Sequence, residues 1–154
     1  SGYSLAQGSA GIRAQPSLFY ESVEWDGGAT SEKTIIDLMG AYTFPMNLYV
    51  GGIYENFKYG SFKYSGFGAT VGYAVMGFHA DFSLLLFLSG NLGGTDLSEG
   101  SGTLFRLGYA AMLFDSIGLG PSLNFRNGGF SGSGTTFEYS EIVPTIDAVF
   151  TFGL

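Results

Sequence analysis

Hydrophobic and polar residues alternate with a period of two along most of this chain, and Phe78 to Asn91, FHADFSLLLFLSGN, shows the pattern most plainly. Its even positions are Phe78, Ala80, Phe82, Leu84, Leu86 and Leu88, and its odd positions are His79, Asp81, Ser83, Leu85, Phe87 and Ser89. One face is wholly apolar, which predicts a strand with its greasy side against a greasy medium. A bilayer requires a strand of about 9 to 11 residues tilted near 45°, whereas strands of water-soluble domains run nearer 5 or 6. The length of the pattern therefore points to hydrocarbon outside and a polar interior.

The same alternation predicts eight strands. The first runs from Ile12 to Trp25, with Ile12, Ala14, Leu18 and Tyr20 outward and Arg13, Gln15, Ser17 and Phe19 inward. Pro16 has no amide hydrogen for a ladder, so a bulge or an unpaired position is expected there. The second (Lys33 to Phe44) and third (Leu48 to Lys58) are joined by a tight turn at Pro45-Met46-Asn47. The fourth (Gly66 to Met76) turns at Met76-Gly77 into the fifth, and the sixth (Ser101 to Phe114) turns at Asp115-Ser116 into the seventh (Ile117 to Arg126). The eighth runs from about Thr135 to Leu154. Between these pairs, Asp26 to Glu32, Tyr59 to Ser65, Gly90 to Gly100 and Asn127 to Gly134 have loop composition. Two- or three-residue turns then alternate with loops of roughly seven to eleven residues, and an even strand number puts both termini on one side. Residues 1–11 are expected to be a loose tail and 12–154 a single barrel. The start SGYSLAQGSAG has no apolar leader and is expected to be a mature or trimmed terminus.

Composition narrows the class. Charged residues make up only 12% and aromatics 17%, yet the longest apolar runs are far too short for a membrane helix. The 26 glycines, scattered through strands as well as loops, oppose helices, because each costs about 1 kcal/mol inside one. No cysteine is present, which excludes disulfides and thiolate metal sites. A net charge of -7 with only six scattered basic residues disfavours nucleic acid.

The alternation, the asymmetry of turns and loops, and a last strand reading IDAVFTFGL resemble the small eight-stranded outer-membrane proteins of Gram-negative bacteria, of the OmpA transmembrane-domain, OmpX and OmpW type. Such proteins commonly close on an aromatic residue, whereas this chain ends Phe152-Gly153-Leu154. The resemblance implies an all-β fold, a closed antiparallel eight-stranded transmembrane β-barrel in the bacterial outer membrane, with short turns periplasmic and longer loops extracellular. It further implies a monomer among outer-membrane lipid and lipopolysaccharide, with no cofactor.

Candidate chemistry lies on the inward face. If Phe44 pairs with Leu48, Asp37 falls opposite Glu55, two carboxylates that repel unless a cation or proton intervenes. Counted from the turns, Arg106 and Asn124 share the elevation of that pair, and strands six and seven lie across the lumen from strands two and three. Arg106, with Arg126 slightly higher, is therefore expected to reach Asp37 and Glu55 and fill the interior, which in an eight-stranded barrel is just wide enough for side chains. Arg13, His79, Asp81 and Asp147 face the lumen lower down. His79, Asp81 and Ser83 have the residue types of a nucleophilic triad, but alternate residues of one strand stand about 6.6 Å apart, too far for relayed hydrogen bonds. No enzyme is expected, and an activity on lipid A is the remotest alternative. A narrow channel is the nearer one, because inward Gly51, Gly68, Gly72, Gly108, Gly118 and Gly120 leave room. The aromatics are expected in two girdles, Tyr42, Phe44, Phe78, Phe150 and Phe152 at one rim and Tyr20, Tyr54, Phe67 and Phe125 at the other. Lys58 and Lys63, beside Tyr59, Phe62 and Tyr64, are candidates for contact with lipopolysaccharide phosphates. Glu24, Asp26, Glu32, Asp96 and Glu99 give the other loops an acidic rim.

Overall fold

The alternating pattern becomes antiparallel strands: β1 (Gly11–Glu24), β2 (Thr30–Thr43), β3 (Leu48–Tyr59), β4 (Phe62–Val75), β5 (Phe78–Leu92), β6 (Thr95–Tyr109), β7 (Ala111–Phe114), β8 (Ile117–Gly132) and β9 (Thr135–Gly153). The structure is a computed structural model, and it describes residues 10–24, 26–28, 30–132 and 135–154. Trp25, expected to end the first strand, and residues 1–9 of the expected tail lie outside the described residues. β1 to β5 each pair with the next strand in sequence, β8 pairs with β7 and β9, β1 pairs with β9, and β6 pairs with β8, so the sheet closes on itself. β6 and β7 keep one register against β8, with Gly108 facing Ser122 and Ala111 facing Leu119. They form one stave interrupted at Ala110, whose amide donates to the Gly77 carbonyl at 2.8 Å. The barrel therefore has eight staves and closes on itself.

Burial follows parity. Leu84 and Ile146 stand 46% and 55% exposed on the outer wall, while Asp37, Glu55 and Arg106 are fully buried. The outward apolar residues form a belt, which on β8 runs from Ile117 through Leu119, Pro121 and Leu123 to Phe125. At about 3.4 Å per residue and a tilt near 40°, that segment climbs roughly 21 Å, close to the apolar band of a membrane barrel. Aromatic pairs mark both rims: Phe78 with Tyr109 and Tyr42 with Phe44 at the end bearing the termini, Tyr54 with Phe67 and Phe105 with Phe125 toward the far end. Beyond the far rim the outward positions turn polar at once, to Asn56, Ser65, Ser89, Asn127 and Ser140.

Two expectations are corrected. Most of the residues assigned to long loops are strand, so hairpins close tightly at both ends. Tyr59 pairs with Phe62 across Gly60-Ser61, and Leu92 with Thr95 across Gly93-Gly94. Gly60, Gly93 and Gly94 have φ of 58°, 57° and 92°, the left-handed geometry that two-residue hairpins require and that glycine adopts without strain. Second, the apolar face of β5 is not unbroken. Gly68 pairs with Leu85 but Phe67 pairs with Phe87, so Leu86 is an extra residue in a β-bulge. Beyond it the parity reverses: Phe87 is 73% exposed and Leu88 is 2% exposed. Pro16 makes no bulge but leaves an unpaired position, one of the two outcomes expected for it. The register between β1 and β9 is the same on either side of it, Ala14 with Phe150 and Ser17 with Asp147, and Gln15 and Pro16 are skipped in the ladder. This seam ends at Leu18 with Ile146, although β1 continues to Glu24.

Candidate functional site

The lumen holds the candidate site, and its polar residues arrive by parity from all eight staves. Asp37 on β2 and Glu55 on β3 are direct cross-strand partners. Arg126 on β8 reaches both: Nη2 donates to Asp37 Oδ2 at 2.5 Å and Nη1 donates to Glu55 Oε1. All three side chains are at most 1% exposed. Arg106 does not join them, contrary to expectation. Its Nε and Nη2 each donate to Asp81 Oδ2 at 3.2 Å, and its Nη1 donates to Ser17 Oγ at 2.8 Å. The reason is proximity, because Asp81 is the residue opposite Arg106 on the adjacent strand. Asn124, placed by sequence at the same height, instead donates to Thr145 Oγ1 at 2.7 Å and to the Val143 carbonyl at 3.2 Å.

A second network fills the lumen toward the termini. Arg13 donates through Nε and Nη2 to Gln15 Oε1 at 3.0 and 2.8 Å, and Gln15 Nε2 donates to Asp147 Oδ2 at 2.9 Å. Thr145 Oγ1 donates to Asp147 Oδ1 at 3.0 Å. His79 Nε2 lies 3.2 Å from both Gln15 Nε2 and Asp147 Oδ2. Tyr49 donates to Asp81 Oδ2 at 2.8 Å, and the Arg13 guanidinium stacks 4.8 Å from the Tyr49 ring centroid. His79, Asp81 and Ser83 do not combine into a relay: the Ser83 hydroxyl pairs with Thr70 Oγ1 at 2.7 Å, and Asp81 is occupied by Arg106 and Tyr49.

Charge divides unevenly between the two networks. Arg13 and Arg106 balance Asp81 and Asp147, whereas Arg126 alone faces Asp37 and Glu55. Asp37 Oδ1 and Glu55 Oε2 are buried without a protein partner.

Above Arg126 lies a group that loop composition concealed. Tyr64 donates to Glu55 Oε1 at 2.5 Å, and Tyr139 donates to Tyr64 Oη at 2.5 Å. Phe57 stacks on Tyr64 with centroids 4.8 Å apart, Phe62 meets Phe130 edge-on at 5.7 Å, and Phe130 stacks on Tyr139 at 6.3 Å. Beside this cap Lys33 pairs with Glu141, spanning the open part of the β1–β9 seam from β2 to β9. The signal for the cap was present in sequence. Phe57, Tyr59, Phe62 and Tyr64 flank Gly60-Ser61, and a two-residue hairpin there makes Phe57 and Tyr64 partners on the inward face. Lys58 and Lys63 are partners in the same hairpin, and both are exposed on the outer wall.

A closed barrel with a membrane-high apolar belt and a polar, side-chain-packed lumen defines the class: a small transmembrane β-barrel. No family profile and no curated protein sequence matches the chain. Two solved structures are similar in fold. One is the outer membrane protein AlkL, determined by solid-state NMR in lipid bilayers, with 15% identity, 96% of this chain and 92% of that chain covered, and a TM-score of 0.44. The other is Neisserial surface protein A, NspA, with 18% identity, 99% and 98% covered, and a TM-score of 0.48.

Proposed function

We propose that this protein is an integral element of the bacterial outer membrane whose lumen is closed by its own side chains, with the far end extracellular, and that it works as a structural and surface-presenting wall. The carrying observation is the bridge from Arg126 to Asp37 and Glu55 under the aromatic cap of Phe57, Phe62, Tyr64, Phe130 and Tyr139. A guanidinium held by two carboxylates across the lumen, with rings stacked above it, supports a closed axis. Inward Gly72, Gly100 and Gly108 support the same reading, because rings fill the space they leave. A Cβ on Gly108 would meet the His79 ring at 2.5 Å, and one on Gly100 would meet the Phe130 ring at 2.5 Å.

Planar bilayer recordings test the proposal. Purified protein that inserts and stays heat-modifiable is expected to give no unitary conductance at neutral pH. Steady open events in the wild type would favour the narrow channel instead. The barrel is read as non-enzymatic because the candidate hydroxyl, Ser83, is turned to Thr70 and away from His79. Incubation with lipid A is accordingly expected to leave its acyl chains unaltered, and altered chains that are lost with His79→Ala would overturn that part.

A further inference from the structure

The chain has six basic residues, and the barrel sorts them sharply. Arg13, Arg106 and Arg126 are buried in the lumen, and Lys33 is paired with Glu141. The remaining two, Lys58 and Lys63, are exposed on the outer wall and stand directly opposite each other on β3 and β4. Like charges facing each other across a strand pair repel. In a chain of net charge -7, carboxylates to separate them are plentiful, yet among the described residues none pairs with either lysine. An arrangement that sets two free ammonium groups side by side suits an anion that neither can hold alone.

Position selects the anion. One residue pair below Lys58 and Lys63 come Asn56 and Ser65, and below those the Tyr54 and Phe67 rings, 5.0 Å apart, end the apolar belt. Lipid headgroups lie at that height. Beside the lysines a cleft of about 510 Å³ opens across β3, β4 and β5, lined also by Asn56, Ser65, Ser89 and Asn91, which supply neutral hydrogen-bonding groups, by Phe57, Tyr64 and Leu97, and by Asp96, whose carboxylate accepts from Asn91 Nδ2 at 2.9 Å.

We propose that Lys58 and Lys63 bind the phosphate of an outer-leaflet lipid, a bisphosphorylated glycolipid of the lipid A kind, with its acyl chains along the belt below and its sugar against Asn56, Ser65, Ser89 and Asn91. Two ammonium groups share one phosphate through charge-assisted hydrogen bonds, and the mutual repulsion of the lysines becomes attraction once the anion is between them. The inference rests on the proposed outer-membrane placement with the far end outward.

The test is native mass spectrometry of the full chain in a non-ionic detergent, titrated with bisphosphorylated lipid A, with the same lipid after enzymatic dephosphorylation, and with inorganic phosphate. The expected result is retention of bisphosphorylated lipid A, an affinity roughly tenfold or more lower for K58Q/K63Q, and a matching loss when the lipid is dephosphorylated. Inorganic phosphate at millimolar concentration should not displace the lipid. Equal affinity of wild type and K58Q/K63Q, or indifference to the lipid phosphates, overturns the proposal. Displacement by inorganic phosphate overturns it in favour of a free-anion site. Heat-modifiable migration of K58Q/K63Q establishes that the variant is folded. Bilayer conductance of the same samples reports on the closed lumen separately, so a conducting wild type would refute the plug without touching the lipid result.

Discussion

Replacing Arg126 by methionine keeps an unbranched apolar stem and removes the charged guanidinium, and it should be among the most costly single changes in the lumen. Arg126 is 1% exposed and is the only cation in contact with Asp37 and Glu55 among the described residues, both of which are fully buried. At an effective dielectric constant of 20 and a separation near 4 Å, each charge pair is worth about 4 kcal/mol of Coulomb energy before desolvation. The methionine side chain is easier to bury than a guanidinium, which offsets part of that. What remains is the cost of leaving two adjacent carboxylates buried without a counter-ion, about 3–5 kcal/mol by analogy with broken buried ion pairs. Glu55→Gln should behave in the opposite manner. It removes the surplus negative charge, leaves Arg126 paired with Asp37, and should change stability by no more than about 1 kcal/mol in either direction. The triple variant D37N/E55Q/R126M should recover most of the loss of R126M, because no charge is then stranded. The assay is urea unfolding in lipid vesicles, read as the heat-modifiable fraction on gels. R126M within about 1 kcal/mol of wild type, or a triple variant no better than R126M, would refute an electrostatic role for the bridge.

Further outcomes test other parts of the barrel. Leu84→Arg, in the apolar belt, should cost about 2–4 kcal/mol in the same unfolding assay, whereas Asn56→Arg, above the rim, should cost no more than about 1, and equal costs would contradict the placement of the belt. Gly72→Ala should destabilise by about 1–3 kcal/mol, because the new methyl would invade the Tyr49 ring that donates to Asp81; Tyr49→Ala should make the same glycine change nearly neutral. Phe130→Ala, truncating a ring that is 1% exposed, should cost about 3–5 kcal/mol yet remain non-conducting in planar bilayers, since the Arg126 bridge lies beneath it. In hydrogen exchange, the amides of Phe19 to Glu24 that point toward β9 should exchange faster than those of Gly11 to Leu18, because pairing between β1 and β9 stops at Leu18. Uniform protection along β1 would show that the seam is closed.

What the sequence made legible and what it hid divide along one physical line. Parity is local, since each side chain's face follows from its neighbours, and the outward Leu84, Ile146 and Phe125 needed only the count of two. Register across a tight turn is nearly as local. The turn at Pro45 to Asn47 fixes Asp37 opposite Glu55 whatever the rest of the barrel does. Register across an uncertain hairpin is not local. The Gly90 to Gly100 segment had loop composition, so the pairing of β5 with β6 could not be counted, and the immediate neighbour of Arg106, Asp81, was overlooked in favour of a partner across the lumen. The extra residue at Leu86 obscured it further, because beyond the bulge the same alternation means the opposite face. The cap was hidden for a related reason. Phe62, Tyr64 and Phe130 lie among glycines and serines that have loop composition, although such glycines supply the φ values that let the strands turn at Gly60 and Gly93-Gly94 and keep alternating. Contact across a closed barrel depends on the stagger of all the staves together. For that reason the residues that reach over the lumen, Arg126 to Asp37 and Arg106 to Ser17, are the ones whose partners the chain alone specifies least, and the first of them is where the substitutions above bear most directly on how the lumen is held shut.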